Sequence, residues 1–293
     1  MIWPGWASSI DKDTHIYINW KVGLSLRRTI VGVFAHPDDE ALLAGGTLAR
    51  YAAEGVWAAV ITCTGGEAGE SWDPFVDPVR LSGVRREELR EACDLLGVRQ
   101  VQILGYHDSG VPARGDPRSL VAAPLAQIAD RIAAVLAPLA PDAVITHDPS
   151  GGYGHPDHIR ASEATTLAVG LLARRPLLYH AVIPQRVVDG FQRAFADAGL
   201  QAGRAAAAGA DMERDVGVPD GVVTTTIDVS AHVGTKRDAV RAHRSQMADH
   251  VLFRLPWPVL AVLWSEEHFA LHGEATPGTP ITSELFESGV ARR

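Results

Sequence analysis

The chain has 293 residues, a formal net charge of −8 and two cysteines, Cys63 and Cys93. An acidic chain without a long Lys/Arg run is a poor general nucleic-acid binder, and two distant thiols exclude a disulfide framework and a thiolate zinc cluster. No apolar run approaches the roughly 20 residues of a membrane span, and Met1 to Trp20 lacks the apolar core of a signal peptide. The expectation is a cytoplasmic protein with no nucleic-acid or membrane partner, and a homo-oligomer is left open.

Residues 1–28 read as an N-terminal extension, with Trp3, Trp6 and Trp20 in polar surroundings that suit an extra edge element or a loose arm. Ile30 to Ala35 then reads as a first strand, Glu40 to Glu54 as a helix in spite of Gly45-Gly46, and Val56 to Cys63 as a second strand. A loop with Gly and Pro runs from Thr64 to Ser82. Val84 to Leu96 carries Leu89, Ala92, Leu95 and Leu96 on one face and stops at Gly97, a common C-terminal cap. Val101 to Leu104 is a third strand, Leu120 to Leu139 a helix bounded by Pro138 and Pro141, and Ala143 to Thr146 a fourth strand. Four strands thus alternate with three helices. The alternation predicts a Rossmann-like α/β fold, a doubly wound and mostly parallel sheet with helices on both faces, its strands apolar throughout because both sides are covered.

Residues 29–175 read as the core of this fold. Residues 176–293 read as its completion, one continuous domain with a smaller C-terminal, substrate-binding part. Pro156 suits a first helical position, so Asp157 to Leu172 is expected as a helix. Leu177 to Ile183 and Val222 to Val229 look like strands, Lys236 to Met247 like an amphipathic helix, and Ala202 to Asp220 like a surface loop.

Two polar clusters interrupt this pattern. Ala35-His36-Pro37-Asp38-Asp39-Glu40 crowds carboxylates and an imidazole onto the turn after the first strand, an arrangement that a divalent cation would relieve. Tyr153-Gly154-His155-Pro156-Asp157-His158 follows the fourth strand. In the strand order 3-2-1-4 the switch point lies between strands 1 and 4, so both clusters face one crevice at the strands' carboxyl ends. His36, Asp39 and His158 then complete a three-ligand catalytic zinc site, one ion per chain, with Asp38 free to take a proton from water. The bland reading of the first cluster is a helix N-terminus favouring carboxylates, which is compatible with the metal.

The pattern of A-H-P-D-D-E after a strand and a distal H-P-D-H resembles the LmbE-like, or PIG-L, superfamily of zinc-dependent N-acetylglucosaminyl deacetylases. The likeness continues through Thr62-Cys63-Thr64-Gly65-Gly66-Glu67, Arg85-Arg86-Glu87-Glu88-Leu89, and Lys236, Ala239, His243, Ser245 and Gln246. Thr146 to His155 is especially similar to the branch that processes mycothiol precursors and conjugates. The resemblance implies His36, Asp39 and His158 as zinc ligands and Asp38 as general base. It implies His155, oriented and kept charged by Asp157, as the residue that stabilises the oxyanion or protonates the amine, with Tyr153 as the alternative holder of the oxyanion. It also implies Arg85 and Asp108 as sugar contacts. The implied reaction hydrolyses the acetamide of a small N-acetylated amino sugar to acetate and a free amine. Two readings stay open beside it: an amidase cutting a larger N-acyl group from a glucosaminyl conjugate, and a noncatalytic protein binding a sugar or nucleotide.

Overall fold

The computed structural model describes residues 15–18, 27–69, 71, 76–200, 217–274 and 281–286. Residues 202–216 of the expected loop and most of the N-terminal extension therefore lie outside the described residues. The core begins with β2 (Thr29–Phe34), α1 (Asp39–Ala53), β3 (Trp57–Thr64), α2 (Leu81–Leu95) and β4 (Gln100–Tyr106). It continues through α3 (Leu125–Leu139), β5 (Ala143–His147), α4 (Pro156–Leu171) and β6 (Leu177–Val182). Upstream, β1 (His15–Ile18) pairs antiparallel with β4, which makes it an edge strand. Downstream come α5 (Gln185–Asp197), β7 (Thr225–Asp228), α6 (Val233–Ala242), α7 (Arg244–Met247), α8 (Trp257–Leu263) and β8 (Glu266–Leu271).

Among the described residues the strands form one sheet in the order β1-β4-β3-β2-β5-β6-β8-β7. The five central strands, β4 to β6, run parallel, and β8 and β7 extend the same sheet antiparallel. The expected order of the first four predicted strands is the one observed, with β2 and β5 adjacent at the switch point. Alternate residues serve two cores. Ile30, Ala58, Val60, Ile103 and Ile145 pack toward α1, α2 and α6, whereas Val31, Val33, Ile61 and Val144 pack toward α3 and α4. Because each face is covered, both sets are buried and the strands show no polar alternation. Leu48 of α1, fully buried in the first core, shows the scale involved: its truncation to Ala is expected to cost about 2–5 kcal/mol.

Element boundaries moved where prolines and buried polar groups intervene. The third core helix starts at Leu125 rather than Leu120, since Pro124 sits extended (φ −58°, ψ 130°) and disfavours helix in the residue before it. The strand expected over Val222 to Val229 is shorter, with a single 3-10 turn over Asp220–Val222 ahead of it. The helix expected over Lys236 to Met247 is broken at His243 (φ −78°, ψ 57°), which divides α6 from α7. Helices α5 and α8 and strand β8 had no counterpart in the pattern reading. Lys236 and Glu267 form a buried ion pair at 2.6 Å, and the Glu267 carboxylate also accepts the Gly46 and Thr47 N–H groups in the middle of α1. Among the described residues no helix is long and apolar enough to cross a membrane.

Candidate metal and hydrolytic site

The switch point brings the two polar clusters together. Val33 of β2 pairs with Thr146 of β5, so the turn after β2 and the loop after β5 leave the sheet side by side. His36 Nδ1 lies 3.2 Å from His158 Nε2 and 3.5 Å from Asp39 Oδ2, and His158 Nε2 lies 3.4 Å from Asp39 Oδ1. A four-coordinate ion with bonds of about 2.0–2.1 Å holds its donors about 3.4 Å apart, so the three residues have the spacing of a ligand set.

Hydrogen bonds fix which nitrogens are free. His36 Nε2 lies 3.2 Å from Asp157 Oδ2 and 3.5 Å from Asp108 Oδ1, so its proton goes to carboxylate and Nδ1 keeps a lone pair. His158 Nδ1 donates to the Gly151 carbonyl at 3.2 Å, which leaves Nε2 unprotonated. Metal-bound histidines commonly have their second nitrogen tied in this way. Two imidazole nitrogens and a carboxylate, whose Oδ2 faces His36 and whose Oδ1 faces His158, therefore border one space, and that donor set fits a divalent cation such as zinc. Electrostatics agree. Burial alone would lower the His36 pKa, but Asp108, Asp157 and Asp39 overcome it and raise the value well above normal. Burial opposes ionisation of Asp39 as well, yet His158 and His147 hold its carboxyl well below its usual range. Without a cation at Nδ1, these carboxylates favour a proton there, which a metal ion would replace.

Asp38, between the two ligands on the first turn, takes a left-handed conformation at φ 116°. Such a backbone costs a non-glycine residue about 1–3 kcal/mol and persists only where neighbours enforce it. Arg85, 3% exposed, is one of them. It donates to Asp38 Oδ2 at 3.1 Å, to the Pro37 carbonyl at 2.5 Å and to the Gly66 carbonyl at 2.8 Å. Gly66 (φ +67°) is required there, because a Cβ would lie 2.4 Å from the Arg85 guanidinium carbon. Burial raises the Asp38 pKa to about 6 against the pull of Arg85.

The loop after β5 organises itself. Asp148 accepts the Ser150 and Gly152 N–H groups at 2.8 Å each, an Asx turn that hands the chain to Pro156 and α4. Gly151 has φ +73°, and a Cβ there would meet the His155 carbonyl at 2.8 Å. His155 caps α4, its Nδ1 accepting the Asp157 N–H at 3.1 Å. Its ring stacks on His158 at 4.7 Å, and Tyr153 stands edge-on to both imidazoles.

All nine residues singled out in the sequence come to this crevice or its wall, but some contacts differ from the expectation. The Asp157 carboxylate lies on His36 and on the Ser109 N–H and hydroxyl, so the residue orients His155 through its backbone alone. His155 is not held charged: burial and the neighbouring His36 lower its pKa to about 4. Arg85 spends its described hydrogen bonds on the protein. Asp108 accepts the Gly110 N–H at 2.9 Å and the Ala68 N–H at 3.3 Å, and His36 keeps its carboxyl below the ordinary range in spite of burial.

His147 joins the site without standing in either sequence cluster. The last residue of β5, it accepts the Ala35 N–H at 3.0 Å, stacks on His158 at 4.0 Å and approaches Asp39 Oδ2 at 3.4 Å. A histidine ending the strand beside the switch point was the available signal.

Comparison with known proteins follows this geometry. Residues 31–169 match the family profile described as PIG-L, GlcNAc-PI de-N-acetylase. The chain is 42% identical over 228 residues to a 1D-myo-inositol 2-acetamido-2-deoxy-alpha-D-glucopyranoside deacetylase of Actinosynnema mirum, covering 73% of this chain and 79% of that protein. In fold it is similar to the N,N'-diacetylchitobiose deacetylase of Pyrococcus horikoshii, with TM-score 0.56, 22% identity and 83% of each chain covered. It is also similar to a 4-carboxy-2-hydroxymuconate hydratase of Pseudomonas putida (TM-score 0.55, 18% identity, 84% of this chain and 96% of that one), so the architecture by itself does not fix the reaction. The family match and the long, well-covered identity to a curated member agree with the ligand cluster: this chain belongs to the PIG-L, GlcNAc-PI de-N-acetylase, family.

Proposed function

We propose that the protein is a zinc-dependent N-deacetylase that hydrolyses the acetamide of a small N-acetylglucosaminyl substrate to acetate and a free amine. The observation that carries this reading is the convergence of His36 Nδ1, His158 Nε2 and the Asp39 carboxylate, their protons directed elsewhere, on the turn that also presents Asp38. His36, Asp39 and His158 would hold the ion, which supplies Lewis acidity to the amide carbonyl and to water.

The chain's own groups do the remaining work. Asp38, fixed by Arg85, takes a proton from the attacking water and returns it to the departing nitrogen as the C–N bond breaks. His155 accepts at Nδ1, so its proton sits on Nε2, where it serves as a hydrogen-bond donor to the developing oxyanion. Asp157 and the Gly151 carbonyl keep the ligand imidazoles in their metal-binding tautomers. Asp108 and Arg85 would contact the sugar, as the family resemblance implies.

The inositol glycoside named for the Actinosynnema relative is the first substrate to test. Acetate release is measured across N-acetylglucosaminyl glycosides, with metal content and with Asp38→Ala as the blank. Chelator-sensitive release, about one zinc per chain and an inactive, zinc-bound Asp38→Ala support the reading. Full turnover by Asp38→Ala would sink the assignment of the base.

A further inference from the structure

We infer that Glu40 and His243 are positioning residues for Asp38, a buried carboxylate–imidazole pair that fixes the backbone of the base from behind. The inference rests on the reading of Asp38 as the proton acceptor. Glu40 Oε2 accepts the Asp38 N–H at 3.0 Å, and Glu40 Oε1 lies 2.7 Å from His243 Nε2. Both Glu40 and His243 are fully buried. A glutamate that merely favoured the positive end of α1 would leave its second oxygen in water. Here that oxygen is withdrawn from solvent and held by a residue 203 positions away.

The partner is placed by the break between α6 and α7, which is itself anchored. Ser245, two residues on, gives its N–H and hydroxyl to Glu88 at 2.8 and 2.7 Å. Glu88 lies on α2 one turn after Arg85, whose guanidinium holds the Asp38 carboxylate. One buried network therefore grips Asp38 twice, by its main-chain N–H through Glu40 and by its carboxylate through Arg85. With φ at 116°, that N–H would otherwise be free to carry the side chain out of alignment.

The described hydrogen bonds and ion pairs of Glu40 and His243 do not include the metal ligands' donor atoms, so their loss should spare metal and strike turnover. The test compares zinc-loaded full-length wild type with His243→Leu, His243→Gln and Glu40→Ala, measuring metal content, cooperative unfolding, kcat and KM for acetate release. His243→Leu and Glu40→Ala are expected to lower kcat about 100-fold, as small misplacements of catalytic groups do. Zinc content should hold, and KM should stay within about threefold of wild type. His243→Gln, whose amide N–H replaces Nε2–H, should recover at least about tenfold of the loss.

Wild-type kcat in His243→Leu, a Gln variant as impaired as the Leu variant, or zinc lost in proportion to activity would overturn the inference. A wild type that releases no acetate, or an Asp38→Ala that turns over normally, would instead overturn the underlying assignment of Asp38.

Discussion

The two turns that meet at the switch point are built in opposite ways. The loop after β5 is held by itself: Asp148 folds it, its glycines take the left-handed positions, and Gly151 delivers the carbonyl that sets His158. The turn after β2 is short and strained, and is held from outside by Arg85 of α2 and by Glu40 backed by His243. The placement of His158 thus depends on local sequence, whereas that of Asp38, the proposed base, depends on distant packing. Substitutions remote from Asp38 should therefore damage chemistry, while those remote from His158 should leave metal binding intact.

The largest effect tests what the two turns share. His36→Ala or His158→Ala removes a ligand and should lower turnover by about a thousandfold or more, the several kcal/mol that a bound metal provides, with metal lost by elemental analysis. Arg85→Ala separates the turns: kcat should fall about 100-fold with zinc retained. If zinc left with Arg85, the division between base and ligands would be wrong.

Asp157→Asn weakens the carboxylate on His36 Nε2, and affinity for zinc, measured by competition with a chelator, should fall about 10–100-fold. Gly151→Ala strains the other turn, and about a tenfold loss of zinc affinity with little change in kcat at saturating metal would show that its damage stays local.

The smallest effect lies outside both turns. Burial lowers the His268 pKa to about 4, so this residue favours the folded state while neutral. Its contribution is complete above the ordinary histidine pKa of about 6.5 and declines as pH falls toward 4. His268→Gln should accordingly flatten the dependence of Tm on pH across that window without altering zinc binding.

The central sheet was legible because its strands are buried on both faces. Runs such as Ile30 to Phe34 are then apolar whatever their partners. The approach of His36 and Asp39 to His158 was legible because they follow β2 and β5, strands whose adjacency follows from strand order. Strand β8 was obscured by Glu266, Glu267 and His268, which interrupt an apolar strand pattern; the fold pairs Glu267 with Lys236 and His268 with Thr226 and Arg186. His147, His243 and the contact of Asp157 with His36 were hidden for a related reason. Their partners are chosen by three-dimensional packing over separations of 112, 203 and 121 residues, and no local period records that choice.

The Glu267 carboxylate on the Gly46 and Thr47 N–H groups has a consequence for how the polypeptide can be divided. Helix α1 carries Asp39, a proposed ligand, at its first residue, yet its start is clasped by His243, its middle by Glu267 and its end by Glu284, which bonds Arg50 and Tyr51. The C-terminal third is thus a splint for the catalytic helix. A fragment ending at Arg175 would keep all three proposed metal ligands and still lose the brace that holds α1.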